Sequence, residues 1–181
     1  MKLYIDFQMD RIVRSERLDI EVKRFILEYL TKNSSDTFSW VALVCQRLRD
    51  IKISKWEIKE KLKEFPPGLN SLYKKMAEPL FAMDVKARPL YMDILAVSLL
   101  AYKSLSLKEL VSYLSYRSHR QQCNDEATIT EDIKACGSFL TLNQDNIVSL
   151  VHQSAKDFLL KEKLGDIFPQ GRADAHNAIA T

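Results

Sequence analysis

Three sets of side chains in this 181-residue sequence have types and spacings that invite a chemical reading. The first is His152, Ser154 and Asp157: a base, a hydroxyl and a carboxylate close together in the chain. A hydrolytic triad presents the nucleophile to one ring nitrogen and the acid to the other. Spacings of two and three residues at a strand-to-helix junction do not supply that arrangement. The second is His119 and Cys123, at a metal-compatible spacing, with Cys136 further on. Structural zinc needs four convergent donors, and three scattered ones in a polar stretch read as loop residues plus a buried thiol. The third is the glycines, at 68, 137, 165 and 171, too dispersed to form a phosphate-cradling loop. No G-x-x-x-x-G-K-[ST], G-x-G-x-x-G or H-E-x-x-H occurs. The chain is therefore expected to be no enzyme, to bind no metal, and to hold no cofactor by itself.

Composition bounds the remaining classes. Hydrophobic residues make up 46% and charged residues 28%, which places the chain with folded globular domains rather than disordered ones. A formal charge of +3 predicts neither a nucleic-acid surface nor an anionic-membrane surface unless it is concentrated somewhere. Residues 1–64 hold the whole excess, and within them Lys52, Lys55, Lys59, Lys61 and Lys63 interleave with Glu57, Glu60 and Glu64 at helical spacing, the pattern of a solvated helix face. Cys45, Cys123 and Cys136 form no CxxC pair, which fits a reducing, cytoplasmic setting. The longest apolar run, from Ile94 to Ala101, is far short of the ~20 residues a membrane helix needs, and the start carries no secretory pattern.

The elements that must position these residues follow from periodicity. Leu18, Val22, Phe25 and Tyr29 predict a helix over 18–31. Residues 38–50 carry apolar side chains nearly all round, the mark of a helix buried between neighbours. Ser54 is placed as the cap of a third helix with Ile58, Leu62 and Phe65 inward, ended by Pro66-Pro67-Gly68. A fourth begins near Leu69, where Pro79 predicts a kink or an early end. From Arg88, Leu90, Ile94, Val97 and Ala101 share a face. Ser106 and Glu109 form a capping box for the next helix. Residues 117–128 read as a loop, and Thr130 as the cap of a short helix through Cys136. Leu140 and Leu142, then Val148 and Leu150, alternate with period two around Asn143-Gln144-Asp145-Asn146, a hairpin. Ser154 to Lys163 is helical again.

The fold class expected is mainly α: a helical bundle module over 1–84, then a winged-helix, helix-turn-helix-like domain with a small β-hairpin over 85–168, with 169–181 beginning a next helix. The buried-type helix at 38–50 further predicts that the two halves pack on each other. A winged helix raises the alternative of a DNA-binding protein. Its recognition helix would lie near 129–136, yet residues 124–136 carry Asp125, Glu126, Glu131 and Asp132 against Lys134 alone, the wrong sign for phosphate.

FSWVALVCQRLRD (38–50), LKEFPPGLNSLYKKM (62–76), LAYKSLSLKEL (100–110), CGSFLTL (136–142), LVHQSAKDFLL (150–160) and IFPQGRADAHNAI (167–179) together resemble one family. It is the segment that follows the nucleotide-binding domain in fungal NACHT proteins, the STAND signalling NTPases related to heterokaryon-incompatibility proteins. That segment often carries the historical label of GPI inositol-deacylase winged-helix domain, which implies no deacylase chemistry. The similarity runs from about residue 18 onward, and Pro79 and Ser104 depart from the pattern. The resemblance implies a regulatory interaction module of fungal self/non-self recognition or defence. Its partners would be a NACHT domain and sensor repeats of ankyrin or WD type, with no nucleic acid and no membrane. ATP/ADP or GTP/GDP would enter only through an upstream NACHT domain, and the chain is expected to be a fragment or a truncated relative. It also implies a role for His152: Val151-His152-Gln153 looks like the Met-His-Asp motif whose histidine contacts the ADP β-phosphate in related ATPases, with Gln153 in place of the acid. The other reading of His152 is a partly buried histidine continuing the face of Val148 and Leu150.

Overall fold

The computed structural model describes residues 3–9, 19–34, 37–50, 57–84, 88–118, 125–136 and 139–169. It is mainly helical, with one small antiparallel sheet. In chain order the elements are α1 (residues 3–9), α2 (Ile20–Asn33), α3 (Phe38–Asp50), α4 (Glu57–Lys63), α5 (Leu69–Phe81), α6 (Arg88–Leu100), β1 (Leu105–Ser106), α7 (Leu107–Ser118), α8 (Glu126–Ala135), β2 (Leu140–Leu142), β3 (Ile147–Leu150), α9 (Gln153–Glu162) and α10 (Leu164–Ile167). The chain divides into two compact units, Met1–Lys75 and Met76–Thr181, and passes from one to the other within α5.

In the first unit, the Asp19 carboxylate accepts the Val22 amide at 2.9 Å and starts α2. The face that α2 buries is Val22, Ile26 and Leu30; Phe25 and Tyr29, expected inside, are half-buried, and Leu18 lies outside the described residues. Two apolar stripes lie side by side on this helix, and packing against α4 selects the second. Phe25 and Tyr29 still contribute: their rings stack, Lys59 lies 5.6 Å from the Phe25 ring, and the Tyr29 hydroxyl donates to the Phe65 carbonyl at 2.8 Å. Burial raises the pKa of Tyr29, in keeping with a phenol that stays a donor.

Helix α3 buries Trp40, Val41, Leu43, Val44, Cys45 and Leu48, so its all-round apolar pattern is matched by all-round burial. Phe38, at its first residue, is the exception: it is exposed and meets the Tyr4 ring edge-on. Tyr4 belongs to α1, an element that periodicity did not reveal, which buries Ile5, Gln8 and Met9. The solvated face expected of the lysine-rich stretch is present where described, with Lys61 paired to Glu64 and Lys63 to Glu60 at 2.8 Å. Ser54 lies outside the described residues. After α4, Phe65 and Pro66 offer carbonyls to Tyr29 and Trp40. Gly68 then turns the chain with φ of 80°, a left-handed conformation, and donates to the Asn33 carbonyl at 3.3 Å. Gly68→Ala is expected to cost this unit about 1–2 kcal/mol in urea denaturation, because a Cβ is strained at that φ. Pro79 lies inside α5, and the helix runs two residues past it before stopping at Phe81.

The second unit is built around α6. Met92, Ile94, Leu95, Ala96, Val97, Leu99 and Leu100 are buried, many more than the single face of Leu90, Ile94, Val97 and Ala101. A helix apolar all round belongs in the middle, and α6 touches α7, α8, β3 and α10. The capping box is present: Glu109 Oε2 accepts the Ser106 amide at 2.7 Å while Ser106 Oγ accepts the Glu109 amide at 3.3 Å. These hydrogen bonds hold the Glu109 carboxyl below its ordinary pKa. Helix α8 starts at Glu126 rather than at Thr130, because Asp125 accepts the Ala127 amide at 3.1 Å; Thr130 is interior and donates to the Glu126 carbonyl. Residues 126–128, expected in a loop, are therefore helical.

The hairpin pairs Leu140 with Leu150, Thr141 with Ser149 and Leu142 with Val148, and Asn146 takes the positive φ of its turn at 57°. The third strand is β1, unforeseen in the sequence, which pairs Leu105 with Val148 and Ser106 with Ile147. The sheet order is β1-β3-β2, so β3 is central. Phe158 of α9 stacks on Phe139 at 6.2 Å.

Candidate functional site

His152 sits where β3 becomes α9. The Val151 amide donates to the Phe139 carbonyl at 2.9 Å, and Ala155, Phe158 and Leu159 anchor the helix by burial, so both sides of the corner are held. Between them His152 takes extended dihedrals, φ −164° and ψ 151°, as the N-cap of α9. Its Nδ1 accepts the Ser154 amide at 3.2 Å and lies 2.7 Å from Ser154 Oγ. With Nδ1 accepting the amide, the ring proton of the neutral imidazole is on Nε2.

This corrects the partly buried reading of His152, which is exposed. The strand alternation ends at Leu150, and the ring folds back over the first turn of the helix that it caps instead of continuing the face of Val148. Gln153, at the position of the acid in the related motif, is exposed in the first turn.

The structure brings Ser154 to His152 but not Asp157, which is exposed and makes no hydrogen bond among the described residues. The one nitrogen facing Ser154 Oγ also takes the Ser154 amide, the pattern of a helix cap rather than of a nucleophile and its base. His119 and Cys123 lie outside the described residues, and Cys136 is fully buried in the second unit. No cluster of His, Cys, Asp and Glu among the described residues has the makings of a metal site.

Two further clusters join residues that sequence reasoning did not connect with one another. The Tyr91 hydroxyl donates to Asp132 Oδ1 at 3.2 Å, while Oδ2 is buried without a partner among the described residues. Burial, then the Asp132 charge, raises the pKa of Tyr91, and the same two causes push the Cys136 thiol up to about 12. Native Cys136 is therefore expected to resist iodoacetamide, as is the buried Cys45, with both labelled once urea opens the chain; mass spectrometry reads this directly. A proton held to about 12 in the fold is lost earlier in the unfolded chain, so this thiol also makes stability fall as pH rises above the ordinary thiol range.

The second cluster fixes α10 to α6. Asp166 accepts from Arg88 at 2.9 Å and lies 3.7 Å from Lys163, and both cations sit over the Phe81 ring, at 5.7 and 4.7 Å. All three charged groups are about a third exposed, so each ion pair contributes only a few tenths of a kcal/mol to about 1 kcal/mol. Neither cluster was legible beforehand, because each joins positions distant in the chain.

The chain is similar to Vegetative incompatibility protein HET-E-1 of Podospora anserina. Identity is 39% over 158 residues, which is 87% of this chain and 11% of that relative. The chain thus spans a small part of the relative's length, while nearly all of the chain takes part in the match. No family profile matches the chain, and no solved structure does. The match agrees with the incompatibility-protein resemblance carried by the motifs above. No helix among the described residues is long and apolar enough to cross a membrane.

Proposed function

We propose that this chain is a non-catalytic regulatory module of a NACHT-type signalling NTPase in fungal self/non-self recognition. In this reading residues 1–84 are the helical module that follows the NACHT domain, 85–168 are a winged helix, and 169–181 begin the next helix. The module couples nucleotide state to the orientation of the domains around it. The observation that carries this reading is the 39% identity with a vegetative incompatibility protein across 87% of the chain. The partners are a NACHT domain and sensor repeats, in the same polypeptide or in trans, and the setting is the cytoplasm.

His152 is the nucleotide sensor of the proposal. An imidazole that contacts a phosphate must be exposed, and His152 is exposed, with Nδ1 turned to the Ser154 amide. It is one donor, so the glycine-rich cradle for ATP/ADP or GTP/GDP belongs to the NACHT domain. The held corner around His152 suits a switch, because a phosphate contact there acts on α9 and the sheet together. DNA binding is disfavoured by α8, where Lys134 is paired to Glu131 at 2.8 Å.

A segment exchange tests the function. The matched 158 residues replace their counterpart in the Podospora relative, and the incompatibility reaction is scored in the fungus. A chimera that accumulates and still reacts with its normal dependence on stimulus supports the module reading. A chimera that accumulates at the normal level and never reacts overturns it.

A further inference from the structure

Beside the sheet of the second unit is a hollow of about 280 Å³ whose walls come from the end of α6, the turn at 101–104, β3 and the start of α9, and His152 is not among its lining residues. None of its lining residues carries a carboxylate, and two of them, Lys103 and Lys156, are cationic. Lys103 is highly exposed and reaches back to Glu109 at 3.3 Å. Lys156 differs: it is half-buried and makes no ion pair among the described residues. Ser104 and Gln153 also line the hollow; both are exposed, and neither side chain makes a hydrogen bond among the described residues. A lysine whose stem is partly buried and whose ammonium makes no ion pair among the described residues, beside polar side chains in a concave site free of carboxylates, leaves donors for an anion.

From these side chains we propose that the hollow binds a phosphate monoester. The lining residues able to donate come from separate elements, two lysines and two neutral side chains, with Lys103 shared with Glu109, and such a spread suits the several oxygens of a tetrahedral phosphoryl group. A planar carboxylate is better matched by the parallel donors of arginine. The volume exceeds that of a bare phosphate and leaves space for the first atoms of the group it is esterified to. The same chemistry is offered by a sugar phosphate and by a phosphorylated serine side chain. The proposal is independent of the nucleotide-sensing reading, which uses a different residue and requires a further domain.

The test is an NMR titration of the full 181-residue chain with inorganic phosphate, ribose 5-phosphate and O-phosphoserine at constant ionic strength. Saturable amide shifts centred on Ser104, Gln153 and Lys156 are expected, with affinity in about the millimolar range. Lys156→Gln should weaken binding about three- to tenfold, the factor carried by one charge-assisted hydrogen bond at a partly exposed site. Lys161→Gln makes the same charge change on an exposed part of α9 outside the hollow and should leave affinity unchanged. A preference for either ester over phosphate supports the proposal and names the source. Shifts that never saturate, or that respond equally to both lysine variants, overturn it, as does saturation centred elsewhere on the chain. The proposal also fails if Lys156→Gln, shown folded by its spectrum, binds as the parent does.

Discussion

Trp40→Ala is expected to remove most or all of the stability of the first unit. The indole is fully buried in α3, and its Nε1 donates to the Pro66 carbonyl at 2.9 Å. Truncating a buried tryptophan costs about 3–5 kcal/mol, from lost transfer energy and from the cavity it leaves. The orphaned carbonyl adds about 1 kcal/mol or more wherever water does not replace the donor. Against a typical total of about 5–15 kcal/mol for a domain, that loss is decisive. Trp40→Phe helps to separate the two causes, since it loses the N–H but keeps one of the two fused rings and so most of the apolar burial, and it should cost less than half as much. Urea denaturation followed by helical circular dichroism measures both variants. Equal losses would mean that the hydrogen bond to Pro66, and not the buried ring, holds α3 to the turn after α4.

His152 gives the second large effect, in a protein that carries an upstream nucleotide-binding domain. His152→Ala deletes two interactions at once: the cap on the first turn of α9, worth about 1 kcal/mol, and the proposed donor to the ADP β-phosphate, worth about 1.5–3 kcal/mol. His152→Ser deletes only the second, because a serine hydroxyl caps a helix well but is too short to reach where the imidazole reaches. Both variants should release ADP about tenfold faster or more and signal without stimulus, since a loss of that size is comparable to the coupling free energies that separate switch states. The alanine variant alone should melt at a lower temperature. ADP off-rates that stay at the parental value in both variants would remove His152 from the sensor role and leave it as a helix cap.

The capping role was itself hidden from sequence reading, for a physical reason. Ser, Thr, Asp and Asn are the residues whose side chains ordinarily return to the N2 or N3 amide, and His152 does so only because the chain leaves β3 in an extended conformation that aims the ring back at Ser154. The strand alternation through Val148 and Leu150 pointed to a buried histidine. A period-two argument holds only while the strand continues, and β3 stops at Leu150. Asp125 behaves the same way at α8: it sits at the end of a polar run, and the amide it accepts from Ala127 becomes visible only once the helix is in place.

What the sequence by itself determined are the features whose cause is local. The Ser106 and Glu109 pair satisfies its own two amides three residues apart. Pro66-Pro67-Gly68 breaks the helix with a missing donor and a permissive φ, and the alternation of Leu140, Leu142, Val148 and Leu150 around an Asn/Asp-rich turn makes a hairpin. The tertiary structure alone decided what depends on distant partners. Leu105 and Ser106 form a strand only because β3 presents Val148 and Ile147 to them. The α2 stripe of Val22, Ile26 and Leu30 wins over its neighbour through packing with α4. Phe81, Arg88, Lys163 and Asp166 come together from opposite ends of the second unit, and Lys156 ends up half-buried with no ion pair among the described residues. Short-range hydrogen bonds and backbone preferences are written within a few residues of their cause. Which apolar face is buried, and which charge is left unmatched, is settled only when separate elements compete for the same interior.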